Sequence, residues 1–104
     1  MDKLIVQIEI AEETDFDELI SIEEALIQAL LGDREAAVDG HDIGEGRFNI
    51  FIHLGAGWEP ALTKVTATLD DLGLLPSAVV AKFHEQTKEY EVVRPDSYSG
   101  TFAL

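Results

Sequence analysis

Residues 4–10 alternate, with Leu4, Val6, Ile8 and Ile10 on one parity and Lys3, Ile5, Gln7 and Glu9 on the other. That is the period of a β-strand with one face on a core. After an acidic link at residues 11–14 the period changes. Asp15 and Glu18 have capping-box spacing, and Phe16, Leu19, Ile20, Leu26, Ile27, Leu30 and Leu31 then recur at helical intervals. Gly32 ends the pattern, as a residue able to take the left-handed conformation beyond a last turn.

Residues 35–39 predict a short strand. Gly40, Gly44 and Gly46 follow within seven positions and can supply the positive φ angles of a hairpin or bulge. The return arm at residues 47–54 alternates again, sending Phe48, Ile50, Ile52 and Leu54 to the core and Arg47, Asn49, Phe51 and His53 to the other face. Pro60 opens a second helix whose buried stripe is Leu62, Val65, Leu69 and Leu72, with Gly73 as terminator. Thr63, Thr66 and Thr68 weaken that helix intrinsically, so tertiary packing must hold it. Residues 77–84 predict a fourth strand with Val79, Ala81 and Phe83 inward and Val80, Lys82 and His84 outward. Residues 89–94 predict a fifth strand, stopped by Pro95 and placed at the sheet edge beside the fourth.

This order predicts an α+β fold, a ferredoxin-like β-α-β-β-α-β sandwich with an antiparallel sheet, two helices on one face and an extra C-terminal edge strand. Residues 1–95 form the expected single domain and residues 96–104 a tail that carries Tyr98, Phe102 and Leu104. In the usual strand order of such a sandwich, the first strand lies between the third and fourth. Ile5, Phe51 and Val80 would then form an apolar stripe on the helix-free face, ringed by Gln7, Asn49, Arg47, His53, Lys82 and His84. An apolar centre with a polar rim is the anatomy of an interface. The competing reading is that Tyr98 and Phe102 of the tail cover the stripe.

Composition narrows the function. A formal charge of −14 in 104 residues repels phosphate backbones and anionic lipid heads, so nucleic acid and membrane surfaces are not expected partners. The charge is uneven: residues 1–35 hold 11 acids against Lys3 and Arg34, which concentrates negative potential around the first helix. There is no cysteine, which excludes disulfides, thiol chemistry and cysteine-ligated metals. With no apolar run long enough to span a bilayer and no signal-peptide pattern after Met1, a cytoplasmic location is expected.

Candidate chemistry is sparse. His53 and His84 would stand on the same face at one end of the sheet, but with a strand between them their Cα atoms are ~10 Å apart, too far for ready chelation. Asp39, Asp42 and Glu45 cluster among glycines without the alternate-position ligands and distant bidentate Glu of a calcium loop. No serine sits in a nucleophile-elbow context. The expectation is therefore no catalytic residue, no metal and no cofactor.

Asp39, Gly40, Gly44, Gly46 and Asn49, Ile50, Phe51 and Ile52, with Pro60 downstream, resemble a segment of small acidic bacterial proteins with a ferredoxin-like fold. The resemblance covers about a third of the chain. It implies that fold and carries no activity to transfer. In size and acidity the chain is also similar to immunity proteins that neutralise toxins. The functional expectation is a non-enzymatic domain that binds a protein, either a basic partner or a second copy of itself, through the first helix and the helix-free sheet face. On that face the residues are Ile5, Gln7, Asn49, Phe51, His53, Val80, Lys82 and His84. The alternative is a small-molecule-binding protein, or an enzyme of the monooxygenase or isomerase kind, with a pocket on the same face where Asn49, His53 and His84 converge.

Overall fold

Five consecutive residues of β1 (Lys3–Glu9), from Leu4 to Ile8, are buried, so both faces of this strand are covered. A strand buried on both faces belongs in the middle of a sheet, and β1 lies there. The structure is a computed structural model that describes residues 2–10, 15–32, 36–55, 58–95, 98 and 102–104. Beyond β1 these residues form α1 (Phe16–Ala29), β2 (Ala36–Gly44), β3 (Arg47–Leu54), α2 (Glu59–Asp71), β4 (Ala78–His84) and β5 (Glu89–Arg94). The strands make one five-stranded sheet in the order β2-β3-β1-β4-β5, antiparallel at every pairing. The acidic link at 11–14, the expected strand start at Glu35 and tail residues 96–97 and 99–101 lie outside the described residues.

Both helices pack on the same sheet face. Leu19, Leu26 and Leu30 from α1 and its cap, and Ala61, Val65 and Leu69 from α2, meet Leu4, Val6, Ile8, Phe48, Ile50, Ile52 and Val80 in one core. Full burial of each large aliphatic side chain stabilises the fold by roughly 1.5–3 kcal/mol, so this layer is the main favourable term. The start of α1 is set locally: the Asp15 carboxylate accepts from the amide of Asp17 at 2.9 Å, and Asp17 and Glu18 place negative charge at the positive end of the helix dipole. Gly32 and Gly73, at φ +85° and +73°, follow the two helices as expected. In α2 the hydroxyls of Thr63, Thr66 and Thr68 donate back to the carbonyls of Glu59, Leu62 and Lys64, competing weakly with the helix they sit in.

The buried stripe of α1 differs from the sequence expectation. Leu19, Glu23, Leu26 and Leu30 are its buried positions, whereas Phe16, Ile27 and Leu31 are exposed, Leu31 at 73%. Leu72, expected in the stripe of α2, is also exposed, and Ala61 is buried instead. Strand β2 is longer than expected and runs through the glycine-rich segment. Asp39 is an extra residue between the Val38↔Ile52 and Gly40↔Phe51 pairs, a bulge that Gly40 allows by taking φ +119°. The reversal itself is confined to Glu45 and Gly46, both at positive φ, the geometry of a two-residue hairpin turn.

The orientation of β4 is the main correction. Ile5 on β1 stands opposite Phe51 on one side and Ala81, not Val80, on the other. Val80 is fully buried in the core under the helices, and Val79, Ala81 and Phe83 take the helix-free side. The physical reason is that Lys82 shares the parity of Val80 yet is received on the helix side by Trp58 and Asp2, while the tail covers Ala81 on the other side, so the polar residues of β4 do not mark its open face.

Candidate functional site

Of the eight residues read from the sequence as a site, Ile5, Gln7, Asn49, Phe51 and His53 share the helix-free face, with Ile5 paired to Phe51, Gln7 to Asn49 and Lys3 to His53. Val80, Lys82 and His84 do not join them. Lys82 runs along the helix side, its ammonium 4.8 Å from the centre of the Trp58 ring and 3.7 Å from Asp2, so the aliphatic stem is covered and the charge paired. The His84 Nε2 lies 2.8 Å from a carboxylate oxygen of Glu91 on the neighbouring strand. Asn49, His53 and His84 therefore do not converge, and the pocket that would have favoured small-molecule chemistry is not built from them.

Nor is the helix-free face bare. Phe102 is 8% exposed and packs with Ile5, Ala81, Phe51, Val79, Phe83, Val92 and Tyr98 in a second apolar cluster. An aromatic ladder extends outward from it, with ring centres of Phe102 and Tyr90 5.3 Å apart and of Tyr90 and Phe83 5.0 Å apart. Gln7 and Asn49 hold the polar end of the slot. The Gln7 amide donates to Asn49 Oδ1 at 3.0 Å and to the carbonyl of Ala103 at 2.7 Å, and Arg47 donates to the same carbonyl at 3.1 Å. Stacking of two bare sheet faces is thus not needed to hide Ile5, which is already 2% exposed in a single chain.

A second stretch of exposed apolar surface lies along the flank where α1 ends beside β2. Ile27, Leu30, Leu31, Gly32, Ala36, Ala37 and Val38 line an open groove of about 280 Å³. Ile27 also borders a second concavity of about 570 Å³ with Ser21, Glu24, Ala25 and Gln28. β2 is an edge strand, so no further strand stands between this flank and solvent among the described residues. Asp17, Glu18, Glu24, Asp39, Asp42 and Glu45 are exposed on the same two elements and their hairpin turn.

A part-buried side-chain contact joins these elements. His41 Nδ1 lies 3.0 Å from both carboxylate oxygens of Glu23, and the imidazole is set between the rings of Phe16 and Phe48 at 6.3 and 5.2 Å. Sequence reasoning missed Glu23. Its position four residues after Leu19 and three before Leu26, on the buried stripe, was the available signal. It also missed the exposed pair Ile27 and Leu31, which helical spacing alone assigns to the core.

Among the described residues no group of three His, Asp or Glu side chains could hold a metal ion, and no helix is long and apolar enough to cross a membrane. Compared with protein-family models, with curated proteins and with solved structures, the chain finds no match.

Proposed function

We propose that this chain is a ferredoxin-like sandwich with an added edge strand that acts as a non-enzymatic protein-binding domain, and that it binds through the flank formed by α1 and β2. The strand order β2-β3-β1-β4, with each helix joining two strands that flank a third, supports the fold reading. One observation carries the functional reading: Ile27 and Leu31 stand exposed beside an apolar groove, on the helix and edge strand that carry a dense set of carboxylates. Apolar side chains of this size cluster on a surface mainly where something covers them.

The partner is a protein that presents an apolar side chain flanked by Lys or Arg. The apolar contact supplies affinity and the acidic surround speeds encounter and selects the sign of the partner. A second copy of this chain is disfavoured because its own flank is acidic, so stacking the two would oppose like charges. Random peptides displayed and selected on the wild-type protein, with removal of those that also bind Leu31→Glu, test the reading. Enrichment of sequences with Lys or Arg around a bulky apolar residue supports it. Neutral or acidic sequences, an absence of enrichment, or a concentration-dependent dimer that Leu31→Glu breaks would overturn it.

A further inference from the structure

The helix-free sheet face is built as a slot, and the chain's own tail describes what fits in it. Phe102 contributes one ring to the cluster around Ile5 and Ala81, and the next residue, Ala103, offers its carbonyl to Gln7 and Arg47. Ala103 and Leu104 are otherwise exposed. Among the described residues the tail forms no strand, and its backbone makes no hydrogen bond to the backbone of the sheet, the one backbone bond found there being from Tyr98 to Pro95. Among the described residues 102–104 the ties are the Phe102 ring, the Gln7 and Arg47 bonds to the Ala103 carbonyl and a longer Arg47 bond to the Leu104 carbonyl, and such a contact opens at lower cost than a strand locked into a ladder. The Gln7 donor also has a partner outside the tail. The Gln7 amide group is oriented by Asn49, itself 1% exposed, so this half of the carbonyl-binding end does not depend on the tail, while Arg47 reaches in from the neighbouring strand.

We propose that this face is a peptide-binding site for an extended segment of a partner protein in which an aromatic residue is followed by a free backbone carbonyl, and that residues 102–104 are its resident, displaceable occupant. The aromatic ring fills the place of Phe102 over Ile5 and Ala81 and against Tyr90, which is 41% exposed and open to a second aromatic contact. The Gln7 amide and the Arg47 guanidinium read the carbonyl that follows. This site lies on the opposite side of the sheet from the helices, so it stands or falls separately from the α1 flank.

The test uses the full chain and a labelled synthetic peptide matching residues 98–104. Full-length Phe102→Ala, whose slot is vacated, binds the peptide at least about tenfold more tightly than the wild type, and a peptide with alanine in place of the phenylalanine loses binding to both. Amide NMR asks the same of the unmodified protein. Excess peptide moves the signals of Ala103 and Leu104 to random-coil positions, while those of Ile5, Phe51, Ala81 and the helices stay close to their original positions because the incoming ring replaces an identical one. Equal binding to wild type and variant, or wild-type spectra that do not respond to a large excess of peptide, would overturn the proposal. So would unfolding of Phe102→Ala, which would make the tail part of the core.

Discussion

His41 and Glu23 form a two-point contact, one imidazole nitrogen 3.0 Å from each carboxylate oxygen, which ties the middle of α1 to β2 across the margin of the core. Glu23 is buried where the helix stripe calls for an apolar residue, and His41 is what makes that tolerable. His41→Ala leaves the carboxylate without its partner and lowers stability by about 1–3 kcal/mol. Replacing both residues with leucine costs less than the sum of the single losses, because the burial penalty of the charge disappears with it. Urea denaturation of the two single variants and the double variant measures this.

The two faces of β4 give the next comparison. Val80→Thr puts a hydroxyl into the core beneath the helices and costs about 1–3 kcal/mol, whereas Val79→Thr, partly exposed under the tail, costs less. Ile50→Ala costs about 2–5 kcal/mol, and Phe51→Ala, half-buried on the other face, less than that. A larger loss for Val79→Thr than for Val80→Thr would return β4 to the orientation expected from its sequence.

That orientation marks where the sequence stopped being legible. The element order, the Asp15 cap, the edge placement of β5 and the faces of β1 and β3 could all be read from periodicity and turn residues. β1 was oriented by Lys3 and Glu9 on one parity, and β3 by Arg47, Asn49 and His53. β4 misled because its only charge, Lys82, lies on the helix side, where Trp58 and Asp2 receive it. No local pattern announces a partner that far away in sequence. Phe102 was legible as a possible cover for the sheet, but its clasp with Gln7 and Arg47 depends on tertiary geometry. Ile27 and Leu31 were hidden for the opposite reason: exposed apolar residues at helical spacing look like core.

Gly40 holds the β2 bulge at φ +119°, a conformation that residues with a Cβ rarely adopt and only with strain. Gly40→Ala meets no steric neighbour, so its cost is conformational, about 1–3 kcal/mol. Gly44→Ala is the control, because that position has open space and no positive φ. Thermal unfolding of the two variants should separate them clearly, with Gly44→Ala close to wild type.

The Asp2 carboxyl is held below its usual range, first by the hydrogen bond it accepts from the Glu85 amide at 3.0 Å and then by the charge of Lys82. A carboxyl with a lowered folded pKa stabilises the folded state above its unfolded value of 3.8 and loses that contribution as pH falls through the lowered value. Asp2→Asn is therefore less stable than wild type near neutral pH, and the difference closes in strong acid. A gap that persists unchanged in acid would mean that the carboxylate charge is not what stabilises this corner.

The flank of α1 is the proposed binding surface for a basic, apolar segment. Its most direct measurement is the dissociation constant of a selected peptide at low and high ionic strength, on wild type and on a variant carrying both Ile27→Ser and Leu31→Ser. High salt weakens binding by screening the carboxylates, and the double variant weakens it by at least about tenfold while its fold is retained. Binding indifferent to both salt and the loss of Ile27 and Leu31 would contradict it.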